Sequence, residues 1–147
     1  AFSATTKRTG QESQTSLFAL DLRTSTVRKL PLELTAPVNA TFSPNGKILV
    51  VIESNQNKVW TYDWDQQGEV QLLTKLGGNG NPLAAKPLGI CPSNQLGSVL
   101  VAIGHRQEVI ELHLESGQTL RTIPFPGQQG VACSVFGTNL FVVFTEQ

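Results

Sequence analysis

Four residues of the sequence have side chains that hydrolytic enzymes use, and each follows an apolar segment of strand length. They are Glu53, His105, Arg106 and Glu146. A histidine or a partly buried glutamate has a pKa that its surroundings can tune for general acid–base catalysis. An arginine can hold a carboxylate or a phosphate by a bidentate contact. We therefore predict that these four residues form a catalytic site, the alternative being that they are solvated turn residues.

The segments that must position these side chains are β-strands, because helical spacing is nearly absent from the sequence. Short apolar runs typical of buried strands begin at Ala1, Lys47, Ser98 and Leu140. The first three of these runs are each followed by a strand rich in β-branched or aromatic residues and then by a third strand. In most cases a strand of small residues comes before the run. A period of roughly 40–50 residues with four strands per repeat is typical of the blades of a β-propeller.

The predicted fold is therefore all-β, a partial β-propeller of about three four-stranded antiparallel blades within a single domain, residues 1–147. The predicted blades cover approximately residues 1–32, 38–76 and 87–125, with an incomplete one at 129–147. An irregular β-sandwich is the alternative. A propeller ring typically closes with about 4–8 blades, and open sheet edges favour pairing with another chain. The expected partners are the remaining blades of the same propeller, a second chain, or further copies through the open edges.

Composition excludes several partners. The chain has 11 basic and 11 acidic residues, so nucleic acid is not an expected partner. No apolar run reaches the roughly 18 residues of a membrane span. Thr, Ser, Gln and Asn outnumber Lys and Glu, which favours a secreted, extracellular protein. In that location Asn39, in the triplet Asn39-Ala40-Thr41, is a candidate for glycosylation.

Other motifs do not predict a cofactor or a metal. The Gly-rich segment 77–82 lacks the Lys-Ser/Thr of a phosphate-binding loop, and it offers only Asn side chains where calcium prefers carboxylates. His113 alternates with leucines in a strand and is expected at the surface or between blades. The aromatic residues Trp60, Tyr62 and Trp64 alternate along one strand, and we expect them to pack between blades rather than to stack on a sugar.

The two cysteines, Cys91 and Cys133, fall on the predicted inner strands of successive blades. Alignment on the neighbouring turns puts them at different heights along these strands. The expectation is therefore two buried free thiols. The alternative, for a secreted protein, is a disulfide between them.

One blade carries a resemblance to a known family. Residues 42–51 (FSPNGKILVV), the segment 59–68 (VWTYDWDQQG) and the Lys86-Pro87-Leu88-Gly89 stretch before the next blade resemble the lactonase-like seven-bladed β-propellers. This family includes 6-phosphogluconolactonase and muconate-cycloisomerase-like proteins, and the resemblance covers roughly Val38 to Gln147. It implies hydrolysis or isomerisation of a small lactone or carboxylate by a complete ring. The residues leave open a non-catalytic module that binds a protein or a glycan, and a fragment with no separate function.

Overall fold

The computed structural model describes residues 2–9, 12–35, 38–76, 85–127 and 129–145 as strands, turns and a single turn of 3-10 helix at Ser54–Gln56. Thirteen strands form four antiparallel sheets, in each of which neighbours in the chain are neighbours in space. Sheet I contains β1 (Phe2–Thr9), β2 (Glu12–Asp21) and β3 (Thr26–Thr35). Sheet II contains β4 (Val38–Phe42), β5 (Ile48–Glu53), β6 (Lys58–Asp63) and β7 (Gln71–Lys75). Sheet III contains β8 (Pro87–Pro92), β9 (Ser98–Ile103), β10 (Glu108–His113) and β11 (Thr119–Pro124). Sheet IV contains β12 (Gln129–Phe136) and β13 (Asn139–Thr145).

This arrangement is the predicted partial β-propeller. The first strands of successive sheets, β4, β8 and β12, pack against one another on the inner side. Three hydrophobic clusters join sheet I to II, II to III and III to IV. Within the described residues no helix has the length and apolar character that a membrane crossing needs.

The continuous apolar strands are explained by burial on both faces. Along β5, Leu49 and Val51 pack against sheet I, whereas Val50 and Ile52 pack against sheet III. Successive side chains of a strand point to opposite faces, so a strand between two sheets needs an apolar residue at every position. Each fully buried aliphatic side chain stabilises the fold by about 1.5–3 kcal/mol.

Strand β3 is longer than the sequence indicates. The first blade was predicted to end at about residue 32, but the structure continues its last strand to Thr35. Leu30, Leu32 and Leu34 alternate into the cluster shared with sheet II. Pro31 is tolerated because β3 is an edge strand and because Pro31 lies where the register between β2 and β3 shifts, so it has no register partner.

The aromatic residues of β6 and the following turn pack between sheets I and II, as expected. Tyr62 is buried, and Trp64 makes edge-on contacts with Phe42 and Tyr62 at centroid distances of 5.3 and 6.3 Å. The Arg28 guanidinium lies 4.8 Å from the Trp64 ring centroid. The Arg28 contact joins sheet I to sheet II at the end opposite to the predicted site.

The two cysteines face each other across the boundary of sheets III and IV. Cys91 lies on the face of β8 that packs on sheet IV, and Cys133 lies on the face of β12 that packs on sheet III. Both are free thiols, Cys91 buried and Cys133 half-buried. Alignment on the turns did not predict this contact, because it gives a height along the strand and not the face on which a side chain lies.

Candidate functional site

Three of the four predicted site residues, Glu53, His105 and Arg106, lie at one end of the sheets, here called the upper end. It consists of the β5–β6 loop (residues 53–57), the β9–β10 loop (residues 104–107) and the described residues that lead into β4, β8 and β12. These loops alternate with hairpin turns at the lower end, because every sheet is an antiparallel meander. Side chains from successive sheets therefore meet at the upper end.

The β5–β6 loop is partly buried and forms a hub of hydrogen bonds, although Asn55 and Gln56 in its middle are exposed. Ser54 and Asn57 are both buried, and Asn57 has a left-handed backbone with φ of 52°. The Asn57 carbonyl accepts a hydrogen bond from the Leu76 amide at 2.7 Å, and its Oδ1 accepts one from the Lys86 amide at 2.8 Å. Ser54 Oγ donates to the Pro87 carbonyl. The loop thus fixes the end of β7 and the beginning of β8.

Glu53 begins this loop and is only 4% exposed. Its Oε2 accepts hydrogen bonds from the Thr35 amide at 2.6 Å and from Thr35 Oγ1 at 3.1 Å. Glu53 lies two residues after Val51, on the face that packs against sheet I. The carboxylate therefore joins the end of β3 to the end of β5.

The β9–β10 loop repeats the hub geometry one sheet further. Gln107 takes the position of Asn57, with φ of 52°. Its carbonyl accepts from the Phe125 amide at 2.6 Å, and its Oε1 accepts from the Gly127 amide at 2.8 Å. An amide side chain in a left-handed conformation thus fixes the chain after the outer strand in both sheets. Neither residue was predicted from the sequence, although each is the last residue of a loop that follows an apolar strand.

His105 and Arg106 lie at the exposed tip of the same loop. The backbone beneath them is held by hydrogen bonds from the Gly104 amide to the Lys86 carbonyl at 3.0 Å and from the His105 amide to the Ala85 carbonyl at 3.2 Å. The Arg106 side chain is 44% exposed, and its Nη1 lies 3.8 Å from Glu108 Oε1. The structure therefore presents these two side chains to solvent on a fixed backbone.

Arg106 lines a groove of about 330 Å³ between sheets II and III. Polar groups from both sheets and several apolar side chains line this groove. Its polar lining is Thr74, Lys75, Arg106, Glu108, Thr119 and Thr122. Two cations, one carboxylate and three hydroxyl groups suit a small polar ligand that carries a negative charge. Lys75 and Glu108 were not predicted, since their proximity to Arg106 depends on how the two sheets stack.

The structure places the predicted residues in two different environments. Glu53 is buried between sheets I and II, whereas His105 and Arg106 are exposed at the tip of the next loop. Glu146 lies outside the described residues. Asn39 is exposed on β4, and its Nδ2 donates to the Leu88 carbonyl at 3.2 Å. Glycosylation at Asn39, which would use that nitrogen, stays a prediction.

A second polar cluster, at the lower end of sheet III, was not predicted. Glu111 is 4% exposed, and its Oε1 accepts hydrogen bonds from Ser98 Oγ at 2.6 Å and Ser93 Oγ at 2.9 Å. Its Oε2 accepts from Arg121 Nε at 2.5 Å. Burial on its own raises the pKa of Glu111, but these hydrogen bonds and the charge of Arg121 outweigh burial and lower that pKa. The groups satisfy one another, so the cluster stabilises the sheet.

The part of the chain that the structure describes contains no ready set of metal ligands. No group of three or more His, Cys, Asp or Glu side chains there is placed to hold an ion. The described upper end instead offers hydrogen bonds, cations and a carboxylate.

The fold and most of the chain are similar to known proteins. The family model described as "SMP-30/Gluconolactonase/LRE-like region" matches residues 1–144. A luciferin-regenerating enzyme is 19% identical, with a TM-score of 0.69, over 94% of this chain and 52% of that chain. Regucalcin from Agrobacterium tumefaciens, a calcium-binding protein, is 17% identical, with a TM-score of 0.69, over 89% of this chain and 48% of that chain.

A third solved structure, a streptogramin B lyase, is 14% identical, with a TM-score of 0.66, over 90% of this chain and 44% of that chain. At these identities the likeness to solved structures shows the fold alone. The chain spans about half the length of these proteins. Comparison with curated proteins gave no match.

Proposed function

We propose, because the chain belongs to the SMP-30/gluconolactonase/LRE-like family, that it forms part of a lactonase-like β-propeller whose completed ring hydrolyses or isomerises a small lactone or a related carboxylate. The observation that carries this proposal is the family match over residues 1–144. In the hydrolysis, water adds to the lactone carbonyl, the ring C–O bond breaks, and a hydroxy acid is released. A base must take the proton of the water, and an acid must protonate the ring oxygen.

Arg106 is the proposed substrate-binding residue. It lines the groove between sheets II and III together with Lys75, and both side chains are cationic. A carboxylate or a phosphate on the substrate would form charge-assisted hydrogen bonds with the Arg106 guanidinium. The volume of about 330 Å³ lies within the range of small-molecule sites, about 300–1,000 Å³.

His105 and Glu53 are the proposed acid–base residues. Substitutions of the two differ in whether they also disturb the fold. His105 is exposed, so its replacement by Ala leaves the buried structure unchanged. Glu53 is buried and accepts both hydrogen bonds of Thr35, so its replacement by Ala would also break a contact between sheets. The Glu53→Gln variant retains an oxygen that accepts these bonds and removes the basic carboxylate.

The experiment measures lactone hydrolysis by the purified protein in the assembly that it forms. We expect Glu53→Gln and His105→Ala to lower kcat by about 10²-fold or more, the lower range for acid–base groups. Arg106→Gln should raise KM more than it lowers kcat. The control is Arg23→Gln, since Arg23 is an exposed arginine in the β2–β3 turn at the lower end. Normal turnover in all three variants, each with an unchanged circular dichroism spectrum, would refute this assignment of roles.

Completion of the ring is part of the same proposal. The additional blades come from further residues of the same protein, from a second chain, or from another copy of this chain. Exposed apolar side chains on the outer face of sheet IV, among them Phe141 and Val143, support the presence of a further blade on that face. We also propose an extracellular location, which the abundance of Thr, Ser, Gln and Asn supports.

A non-catalytic binding module is the second candidate function. The hydrogen bonds of Glu53 favour this function. Glu53 Oε2 already accepts two hydrogen bonds from Thr35, so the carboxylate has a structural role. Under this alternative the groove around Arg106 binds an anionic group of a protein or glycan without turnover. Absence of lactone turnover, together with calorimetrically measured binding that Arg106→Gln weakens, would favour this function over catalysis.

A further inference from the structure

The boundary between sheets III and IV contains the only two thiols of the sequence. Cys91 and Cys133 belong to one apolar cluster with Leu100, Ala102, Val109, Val135 and Val142. The two residues lie on successive inner strands and on faces that are directed toward each other. Burial of Cys91 and partial burial of Cys133 keep both side chains in a restricted space.

The hydrogen bonds of the sulfur atoms show how close the two residues are. Cys133 Sγ donates to the Leu100 carbonyl at 3.6 Å, and Leu100 is the register partner of Cys91 in the β8–β9 pair. Register partners in an antiparallel pair have Cβ atoms about 4.5–5.5 Å apart. Cys133 Sγ therefore crosses the boundary at the level of Cys91.

The ionisation of the two thiols reflects the same contact. Hydrogen bonding with Cys133 lowers the pKa of the Cys91 thiol, although burial opposes this change. The contact with Cys91, together with burial, raises the pKa of the Cys133 thiol. Both shifts in pKa have the contact between the two thiols as their largest cause, and they make Cys91 the more readily ionised of the two.

We propose that Cys91 and Cys133 form a reversible disulfide that fastens the inner strand of sheet III to the inner strand of sheet IV. The oxidant is a low-molecular-weight disulfide such as oxidised glutathione. The half-buried Cys133 is the thiol that the oxidant can reach, and it attacks one sulfur of the oxidant as its proton passes to the Cys91 thiolate, which releases one small thiolate. Cys91 then gives that proton to the released small thiolate and is a thiolate again. The Cys91 thiolate then attacks Cys133 Sγ and releases the second small thiolate. Two protein thiols are oxidised to one S–S bond, and one small disulfide is reduced to two thiols.

This bond would constrain the two sheets without a change in their packing. It joins two positions that are 42 apart in the sequence, and a disulfide stabilises mainly by restricting the unfolded chain. Sheet IV gains the most from such a link, because its two described strands contact the rest of the described structure mainly through sheet III. The proposal is independent of the proposed function, since neither cysteine is one of the proposed site residues.

The test is oxidation of the native 147-residue chain by oxidised glutathione, followed by alkylation, proteolysis and mass spectrometry. We expect loss of the mass of two hydrogen atoms and one cross-linked peptide pair that contains Cys91 and Cys133. The urea-unfolded chain should instead collect glutathione adducts, because its thiols are far apart. Native protein that keeps both thiols, or that stops at a glutathione adduct on Cys133, would overturn the proposal.

Variants and unfolding measurements give an independent readout. Cys91→Ala should stop at a stable glutathione adduct on Cys133, because it lacks the second thiol. Oxidised wild-type protein should unfold at a higher urea concentration than the reduced protein, and a reducing agent should reverse the shift. Equal midpoints for both forms would show that the bond does not fasten the sheets.

Discussion

Glu111 is the buried carboxylate with the most complete set of partners among the described residues. Its hydrogen bonds come from Ser93, Ser98 and Arg121, which lie on or near three different strands. A carboxylate in an apolar strand is a signal that the sequence does contain. Its partners were not predictable, because only the pairing register brings them to one point.

Glu111→Gln is expected to lower the free energy of unfolding at neutral pH by about 1.5–3 kcal/mol, the range for hydrogen bonds to charged groups. Most of this loss should come from the two serine contacts, since the Arg121 side chain is 56% exposed and its charge is screened by solvent. Urea unfolding of the two proteins at neutral pH measures the difference. Equal stability would contradict a stabilising role for the cluster.

The same pair of proteins predicts a dependence on pH. The pKa of Glu111 is lowered in the folded chain, so its contribution is present above the unfolded pKa of about 4.3 and is lost as the pH falls through the folded pKa. The difference in unfolding free energy between wild type and Glu111→Gln should therefore shrink in acid. A difference that stays constant throughout the acid range would show that ionisation of Glu111 is not involved.

Substitutions of Asn57 measure how much the hub at the upper end contributes to stability. The left-handed backbone of Asn57 costs about 1–2 kcal/mol for a residue with a Cβ atom, and its Oδ1 accepts the Lys86 amide. Asn57→Gly removes only the acceptor, whereas Asn57→Ala also keeps the strained conformation without the compensation that Asn provides. We expect Ala to be less stable than Gly by about 1 kcal/mol in urea unfolding. The same comparison of Ala with Gly at position 25, where Ser25 has φ of 55° in a lower-end turn, is the control for strain without the hub contact.

At the level of elements, the strands buried on both faces were the most predictable. The buried strand predicted to begin at Ser98 does begin there, as β9 (Ser98–Ile103), because every position needs an apolar or small residue. Edge strands were less predictable, as the extension of β3 beyond Pro31 shows. The outer strands also pair across β-bulges, for example between Glu111 and Leu112, and no local sequence signal marks these positions.

Gly117 tests the contact between sheets II and III. It has φ of +71°, and a Cβ atom there would lie 2.7 Å from the Leu73 carbonyl oxygen of β7. Gly46 has φ of +72° and no atom within 4 Å of such a Cβ position. Both Gly→Ala variants share a backbone strain of about 1–2 kcal/mol. We expect Gly117→Ala to lose more stability than Gly46→Ala in thermal or urea unfolding, and equal losses would mean that the two sheets separate without cost.

For the whole molecule, the repeat was predictable from the sequence, but the environment of the side chains on each loop was not. The period of the buried strands gave the order of the sheets, because each repeat has the same apolar pattern. The repeat also placed Glu53, His105 and Arg106 on loops of one kind. It did not show that Glu53 is buried against Thr35 while His105 and Arg106 are exposed, since that depends on which face of each strand meets its neighbour.

The outer face of sheet IV predicts how the chain behaves in solution. Phe141 and Val143 are 59% and 60% exposed, and they alternate with Val142, which packs on sheet III. In a propeller such a face is covered by the next blade, so we expect the purified chain to associate with complementary blades or with itself. Light scattering after size exclusion, with denaturing mass spectrometry of the same peak, identifies what covers the face.

Phe141→Lys combined with Val143→Lys should reduce this association, because a charged side chain resists burial in an apolar contact. Leu96→Lys is the matched control, since Leu96 is 74% exposed but lies in the β8–β9 turn at the lower end.

A second polypeptide in the wild-type peak would mean that the ring is completed by other blades. A peak of identical chains would mean that copies pair through this face. A wild-type chain that stays monomeric at every concentration would contradict a covering partner, and the groove around Arg106 would then have to act within sheets II and III alone.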